Sequence, residues 1–417
     1  MGWSNGEKQK FRDALQDAYR SYDALKVFVQ DAMGWALPRI SEHPSLDIVA
    51  FELIEYAEAQ VELDRLWRKF QAANPNQPCV RDIPIPSTDR PQRRQAAPNG
   101  SEPFVYGPAI APDGFYGRSR LIRDMSSRIG GVNPQCVNVV GMRRVGKSSL
   151  LRLIAEDNSG RFFDGDCRPL VVSLDLTNAC FHSPAGIQEG LRRGIAVAMK
   201  GRSPWAENAG DDPFVFEDGL RGVRDQGWRL VVLLDEFEGI KQHLEAFQGW
   251  GEDWRAKASA GLLTLVVVGQ RPIGEIYGSL GLTSPFGNIF SQSMVGPLEK
   301  AEWQQLVSDH RPETTAAEMD WIGGVSGGWP FYVQMAGAML WELGDIAQAE
   351  EEFFFQVQSH FVSLWKALKS REQAAMWGQA QRRGTVRLLE RYGLLRSDGR
   401  PFSALFFEVI DELEDLE

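Results

Sequence analysis

Two stretches of this chain carry the residue types that handle phosphate. The first, GMRRVGKSS at residues 141–149, fits the pattern G-x-x-x-x-G-K-[ST] with no residue out of place. It follows an apolar run, QCVNVV (135–140), and opens a helical stretch, KSSLLRLIAED. A turn between strand and helix points backbone N–H groups and the positive end of the helix dipole at one spot, which suits an anion. Gly141 and Gly146 permit the backbone conformations and the close approach, and Arg144, Val145 and Ser149 complete the phosphate-binding set. Lys147 reaches the β and γ phosphates, and the Ser148 hydroxyl ligates Mg2+.

The second stretch, RLVVLLDEFE (229–238), runs an apolar strand into two acids. Asp235 holds Mg2+ directly or through water, and Glu236 orients and deprotonates an attacking water, which makes Glu236 and Lys147 the catalytic candidates. Taken singly, each stretch also reads as plain structure, a strand-to-helix turn and a buried strand with a solvated acidic end. Their occurrence in one chain, with Asp235 86 residues after Ser149, favours a phosphate site. A further strand between them, PLVVSLDL (169–176), fits P-loop ATPases that carry a catalytic Glu beside the metal-binding Asp, and the chain has no N-K-x-D motif of the kind GTPases use. ATP or ADP with Mg2+ is therefore the expected cofactor set. The strand LLTLVVVG ends in Gln270 and Arg271, which either sense the γ-phosphate or simply end a buried strand.

The elements that must hold these residues alternate between about 116 and 297, where strands at 135–140, 169–176, 229–235, 262–269 and 289–298 are separated by helices. That alternation predicts a parallel α/β sheet covered on both faces. The fold expected overall is multidomain. Residues 1–80 read as a helical bundle, from apolar residues at helical spacing such as Phe11, Leu15, Leu25, Val29, Leu53, Trp67 and Phe70; Ser4 with Glu7 caps its first helix. Residues 81–112 read as a Pro-rich linker, 113–297 as the α/β domain, 298–368 as helices, and 369–417 as two short helices, a β-wing and a closing helix.

Composition narrows the rest. With 417 residues, 43% hydrophobic, the chain can bury several cores, and 45 Lys and Arg against 56 Asp and Glu give a net charge of −11. That balance weakens the case for a general nucleic-acid or anionic-membrane binder. The longest apolar run, LLTLVVV (262–268), is too short to span a bilayer, and MGWSNGEKQKF has no apolar signal core. Cys79, Cys136, Cys167 and Cys180 form no C-x-x-C pair and read as reduced thiols in a cytoplasmic protein. GVSGG (324–328) mimics a nucleophile elbow but lacks the preceding strand, and the five histidines have no metal spacing. Residues 369–400 hold eight basic and three acidic side chains, which read as a solvated face or as a DNA contact.

Taken in order, FYGRSRLIRDM (115–125), GMRRVGKSSLL, VVLLDEFE and GGWPFYVQM (327–335) resemble the motifs of STAND-type ATPases, signalling relatives of the AAA+ proteins. The resemblance covers about 113–417 and implies a helical lid after the sheet, then a winged helix. It implies that Tyr116, Gly117 and Arg118, with Gly328 and Pro330 of the lid, contact the adenine side of the nucleotide. In SPFGNIF (284–290), where many relatives carry an Arg, this chain has Asn288, which leaves any arginine finger unassigned. FRDALQDAYRSYDALKVFV, DIVAFELIEYAEAQVELDRLW and FQAANPNQPCV, with Ala72-Ala73-Asn74-Pro75-Asn76 at the close, resemble the bacterial effector-associated domain of the first type. That resemblance implies recruitment of an effector protein with a matching domain. The combined expectation is an ATP-hydrolysing, homo-oligomeric signalling switch in bacterial antiviral or conflict defence. The rival is an AAA+ regulator or remodeller acting on DNA.

Overall fold

The computed structural model describes residues 5–33, 35, 37–41, 43, 45–59, 63–74, 103–157, 159–163, 167–201, 205, 213–247, 249–278, 285–379 and 383–414. Ser4, Pro75, Asn76, Cys79, Arg382 and residues 81–102 of the expected linker lie outside them. Contacts divide the chain into two units, Met1–Ala96 and Ala97–Glu417.

The first unit is a bundle of α1 (Asn5–Ala18), α2 (Tyr22–Met33), α3 (Leu46–Ala59) and α4 (Leu63–Ala73). Its apolar stripes meet in one core, where Phe11 lies edge-on to Trp67 at 4.7 Å and Leu15, Val29 and Leu53 are fully buried. Asn74 closes α4 by donating to the Tyr19 hydroxyl at 2.8 Å and to the Phe70 carbonyl at 3.1 Å.

In the second unit five strands form one parallel sheet: β1 (Cys136–Val140), β2 (Arg168–Asp175), β3 (Trp228–Asp235), β4 (Thr264–Gly269) and β5 (Phe290–Met294), in the order β2-β3-β4-β1-β5. Strand side chains alternate between two cores. Val137, Val139, Leu233 and Val266 feed one face, while Leu174, Val232, Leu234 and Val267 feed the other. Because both faces are covered, the strands read as continuous apolar runs. The connections carry α5 (Ser119–Met125), α6 (Lys147–Ala155), α7 (Pro184–Ala198), α8 (Pro213–Asp225), α9 (Trp250–Ser259) and α10 (Ile273–Gly278).

After the sheet come α11 (Lys300–His310), α12 (Ala316–Ser326), α13 (Pro330–Leu343) and α14 (Ile346–Lys366). Their boundaries follow local chemistry: capping boxes start α11 and α12, and proline at the first position starts α13. The chain continues through α15 (Ser370–Met376) and α16 (Arg383–Tyr392), an antiparallel bridge between Leu395 and Pro401, and α17 (Phe406–Glu414). Apolar residues of α11 to α17 share one cluster with a face of the sheet. Residues 103–110, inside the span expected to be linker, pack on this unit: Phe104 is 3% exposed, and the Val105 N–H donates to Gln334 at 3.1 Å. No described helix is long and apolar enough to cross a membrane.

Candidate nucleotide site

The parallel register brings the C-terminal ends of β1, β3 and β4 side by side, and the sequence-predicted residues gather there. The phosphate-type loop leaves β1, with the Gly141 N–H bonded to the Gly269 carbonyl of β4 at 3.1 Å, and turns into α6 at Gly146. Gly146 has φ +93°, a left-handed conformation that side chains disfavour. The Ser148 hydroxyl donates to Asp235 Oδ2 at 2.7 Å, so two side-chain oxygens from different elements converge. A hydroxyl beside a carboxylate is the hard-oxygen donor set that suits Mg2+.

Lys147 is buried, and its ammonium folds back to donate to the Met142 carbonyl at 3.1 Å. Burial lowers its pKa against the opposing pull of Glu236, Glu238 and Asp235. Glu236 follows Asp235 with φ +47° and donates its N–H to Asp235 Oδ1 at 2.9 Å. Its carboxyl is pushed up chiefly by burial, with Asp235 and Glu238 adding repulsion and Lys147 opposing.

A third acid was not singled out from sequence. Glu238 Oε1 accepts from the Gln270 N–H at 2.5 Å and the Arg271 N–H at 3.1 Å, tying the end of β3 to the end of β4. The side chain of Arg271, expected beside the γ-phosphate, turns elsewhere: its guanidinium is held by Glu372 and by the Ala367 carbonyl. Three of its five N–H donors are taken by these partners. Gln270 stays half-buried at the strand end.

On the other side of the loop a cleft is lined by Phe115, Tyr116, Arg118, Gly146, Leu306, Pro330 and others. Of the expected adenine-side residues, Tyr116, Arg118 and Pro330 reach it. Arg118 is only 8% exposed, and its guanidinium donates to the Val145 carbonyl of the loop at 2.6 Å. Burial depresses its pKa to about 10, partly offset by Glu302. Glu302, also missed from sequence, accepts the Arg118 N–H at 2.6 Å from α11. Gly117 makes room for that contact, since a Cβ there would meet the Glu302 carboxyl carbon at 2.4 Å. Gly328 stands at φ +78° just before α13, and a Cβ there would meet the Leu298 carbonyl at 2.8 Å.

Two loop side chains turn away from phosphate. The Arg144 guanidinium lies 4.4 Å above the Phe331 ring of α13, and the Ser149 hydroxyl accepts the Ile110 N–H at 3.0 Å, so what they offer an anion is backbone. Val145 is buried and Arg143 is exposed. Ser326 of the elbow-like GVSGG is fully buried, its hydroxyl accepting the Gly328 N–H at 3.2 Å, which is a structural task. Asn288 lies in a short 3-10 turn, Pro285–Ile289.

With this geometry in view, known proteins supply a context. Residues 1–85 match Effector-associated domain 1. The match covers the N-terminal bundle alone. No curated protein matches the chain. Among solved structures, a Walker-type ATPase of Pyrococcus abyssi aligns over 75% of this chain and 93% of its own, at 16% identity and a TM-score of 0.50. The ORC1 protein of Aeropyrum pernix, solved in complex with DNA, aligns over 74% of this chain and 78% of its own at 12% identity and 0.41. AMPPCP-bound DnaA from Aquifex aeolicus aligns over 75% and 93% at 10% identity and 0.39. At such identities the likeness is one of fold alone, a P-loop ATPase-like fold as in the Pyrococcus abyssi protein.

Proposed function

We propose that the chain is an ATP-binding, slowly hydrolysing signalling switch of the STAND type. In this reading α11 to α14 form its lid, residues 369–417 a winged helix, and residues 1–80 an effector-associated adaptor joined by a linker that ends before the packed segment 103–110. The observation that carries the reading is the 2.7 Å bond between Ser148 and Asp235, which joins the two expected metal ligands beside Lys147 and Glu236.

ATP would seat its phosphates on the backbone of 141–149, with Lys147 against the β and γ groups. Mg2+, held by Ser148 and Asp235, supplies charge neutralisation at the phosphates when bound. Glu236 takes a proton from water as the water oxygen bonds the γ-phosphorus and the bond to the β-γ bridging oxygen breaks, leaving ADP and phosphate. The base enters the cleft beside Tyr116, Arg118 and Pro330. Because the lid helix α13 and the loop both line that cleft, nucleotide identity is coupled to the lid. Assembly of ATP-bound copies then clusters the adaptors, which recruit a partner effector in bacterial antiviral or conflict defence.

The test is binding and turnover by the full chain. Wild type binds and hydrolyses ATP with Mg2+, and Lys147→Ala abolishes both; equal behaviour of the two sinks the reading.

One observation favours a second reading, a regulator acting on DNA. Arg383, Arg387 and Arg391 recur at one-turn spacing on α16, are exposed, and have no acidic partner among the described residues. It predicts DNA binding whose salt slope flattens when the three are reversed.

A further inference from the structure

Gln334 is a polar side chain of this cleft whose hydrogen-bonding capacity the fold leaves half used. Gln334 of α13 is 5% exposed and lines the cleft with Gly146, Tyr116 and Pro330. Its Oε1 accepts the Val105 N–H at 3.1 Å. A backbone N–H can only donate, so this bond fixes which end of the amide is oxygen and which is nitrogen. The NH2 group is left with two donors and no partner among the described residues, beside a cavity. An amide donor that faces a cavity with no protein acceptor offers its N–H groups to whatever enters the cleft, and suits a ligand that accepts.

The surroundings say what kind of ligand. Gln334 stands one helical turn after Pro330, on the same side of α13, and Pro330 Cγ lies 3.8 Å from the Cβ position of Gly146 in the phosphate loop. The cleft therefore runs from the phosphate end to the amide. Phe115, Tyr116 and Leu306 give it flat, apolar walls. The amide itself is braced, because Val105 follows Phe104, which is buried against Gly337 and stacks on His310 at 5.3 Å. A rigid amide at the end of a flat apolar slot that opens on a phosphate loop fits the edge of a nucleobase.

We infer that Gln334 reads the base of the bound nucleotide and selects adenine over guanine. The amide NH2 donates to a ring nitrogen, and the second lone pair of Oε1 accepts from the adjacent 6-amino group, a two-bond match that glutamine makes with adenine. Guanine presents an oxygen at position 6, which sets acceptor against acceptor. The inference rests on the proposed ATP reading of the loop and deepens it by naming the residue that sets base preference.

The test is equilibrium binding of ATP, GTP and inorganic tripolyphosphate to the full chain with Mg2+, for wild type, Gln334→Glu and Gln334→Met. Glutamate keeps an acceptor for the Val105 N–H while replacing the donor with a second acceptor. Wild type prefers ATP. Gln334→Glu lowers the ATP to GTP affinity ratio about 5- to 150-fold, the worth of one good two-bond base contact. Gln334→Met, which adds no buried charge, brings the two nucleotides close to equal. Tripolyphosphate binds all three proteins alike, which reports an intact loop. An ATP to GTP ratio unchanged in both variants overturns the inference while leaving the nucleotide site standing, as does a wild type that binds both equally. A wild type that binds neither nucleotides nor tripolyphosphate overturns the site reading and this inference with it.

Discussion

Arg271, at the end of β4, grips Glu372 of α15 through two hydrogen bonds of 2.9 and 2.7 Å, joining residues 101 positions apart in the chain. Glu372 is fully buried and the Arg271 side chain only 14% exposed. The same guanidinium bonds the Ala367 carbonyl and lies 5.5 Å from the Tyr392 ring, while Lys369 pairs with Glu275 nearby. The cluster therefore fastens the C-terminal helices to the C-terminal end of β4 in the sheet.

Breaking a buried pair from one side strands a charge, so Glu372→Ala should destabilise the second unit by about 3–5 kcal/mol. Chemical denaturation measures it. Arg271→Glu with Glu372→Arg restores an opposite-charge pair and should recover part of the loss, whereas a double variant as weak as the single one would show that the ion pair is not what holds the two parts together.

The Arg118 guanidinium fixes the carbonyl of Val145 inside the phosphate loop. A hydrogen bond from a charged group contributes about 1.5–3 kcal/mol, so Arg118→Met should weaken ATP and ADP about 10- to 100-fold alike. Calorimetric titration of both nucleotides checks this; an effect confined to ATP would place Arg118 on the γ-phosphate instead.

His360 of α14 packs edge-on against Phe331 at 5.2 Å, and burial together with the Arg144 charge lowers its pKa from 6.5 to about 4. Between those values the unfolded chain binds a proton that the folded chain refuses, so stability rises with pH across that window. Acidification from pH 7 to 4.5 should lower the melting temperature, and His360→Phe should flatten that dependence. The full size of the effect is at most on the order of 3 kcal/mol, from about 1.4 kcal/mol for each unit. Parallel melting curves for the two proteins would contradict it.

Glu236→Gln removes a proton acceptor but leaves the loop and Asp235 untouched. Steady-state turnover should fall about 10^2- to 10^4-fold with ATP affinity retained. Loss of binding along with turnover would assign Glu236 to holding nucleotide rather than to activating water.

What could be seen in the sequence divides along physical lines. The turn at 141–149 and the DEFE strand end, which the fold brings together through Ser148 and Asp235, stood out because each is a run of adjacent residues, and the parallel sheet because strands buried on both faces are apolar throughout. Glu302, Gln334 and Glu372 were not legible, since each sits on a helix where one polar residue among others gives no pattern, and its partner lies far away in sequence. Arg271 shows the same limit from the other side: its place at a strand end left a sensor and a plain strand end equally open, and the carboxylate 101 residues later that holds its side chain gave no local signal. Phe104 and Val105 were hidden in a Pro-rich stretch whose composition reads as linker, although one buried ring and one backbone bond suffice to pin them.

In the proposed switch the bound nucleotide sets the state of assembly, which the light-scattering mass of the full chain with Mg2+ reads out. The Glu236→Gln protein should be larger with ATP than with ADP, and Lys147→Ala should stay at the smaller mass with either. One unchanging mass across both nucleotides and both variants, with ATP bound to the Glu236→Gln protein, would contradict the account.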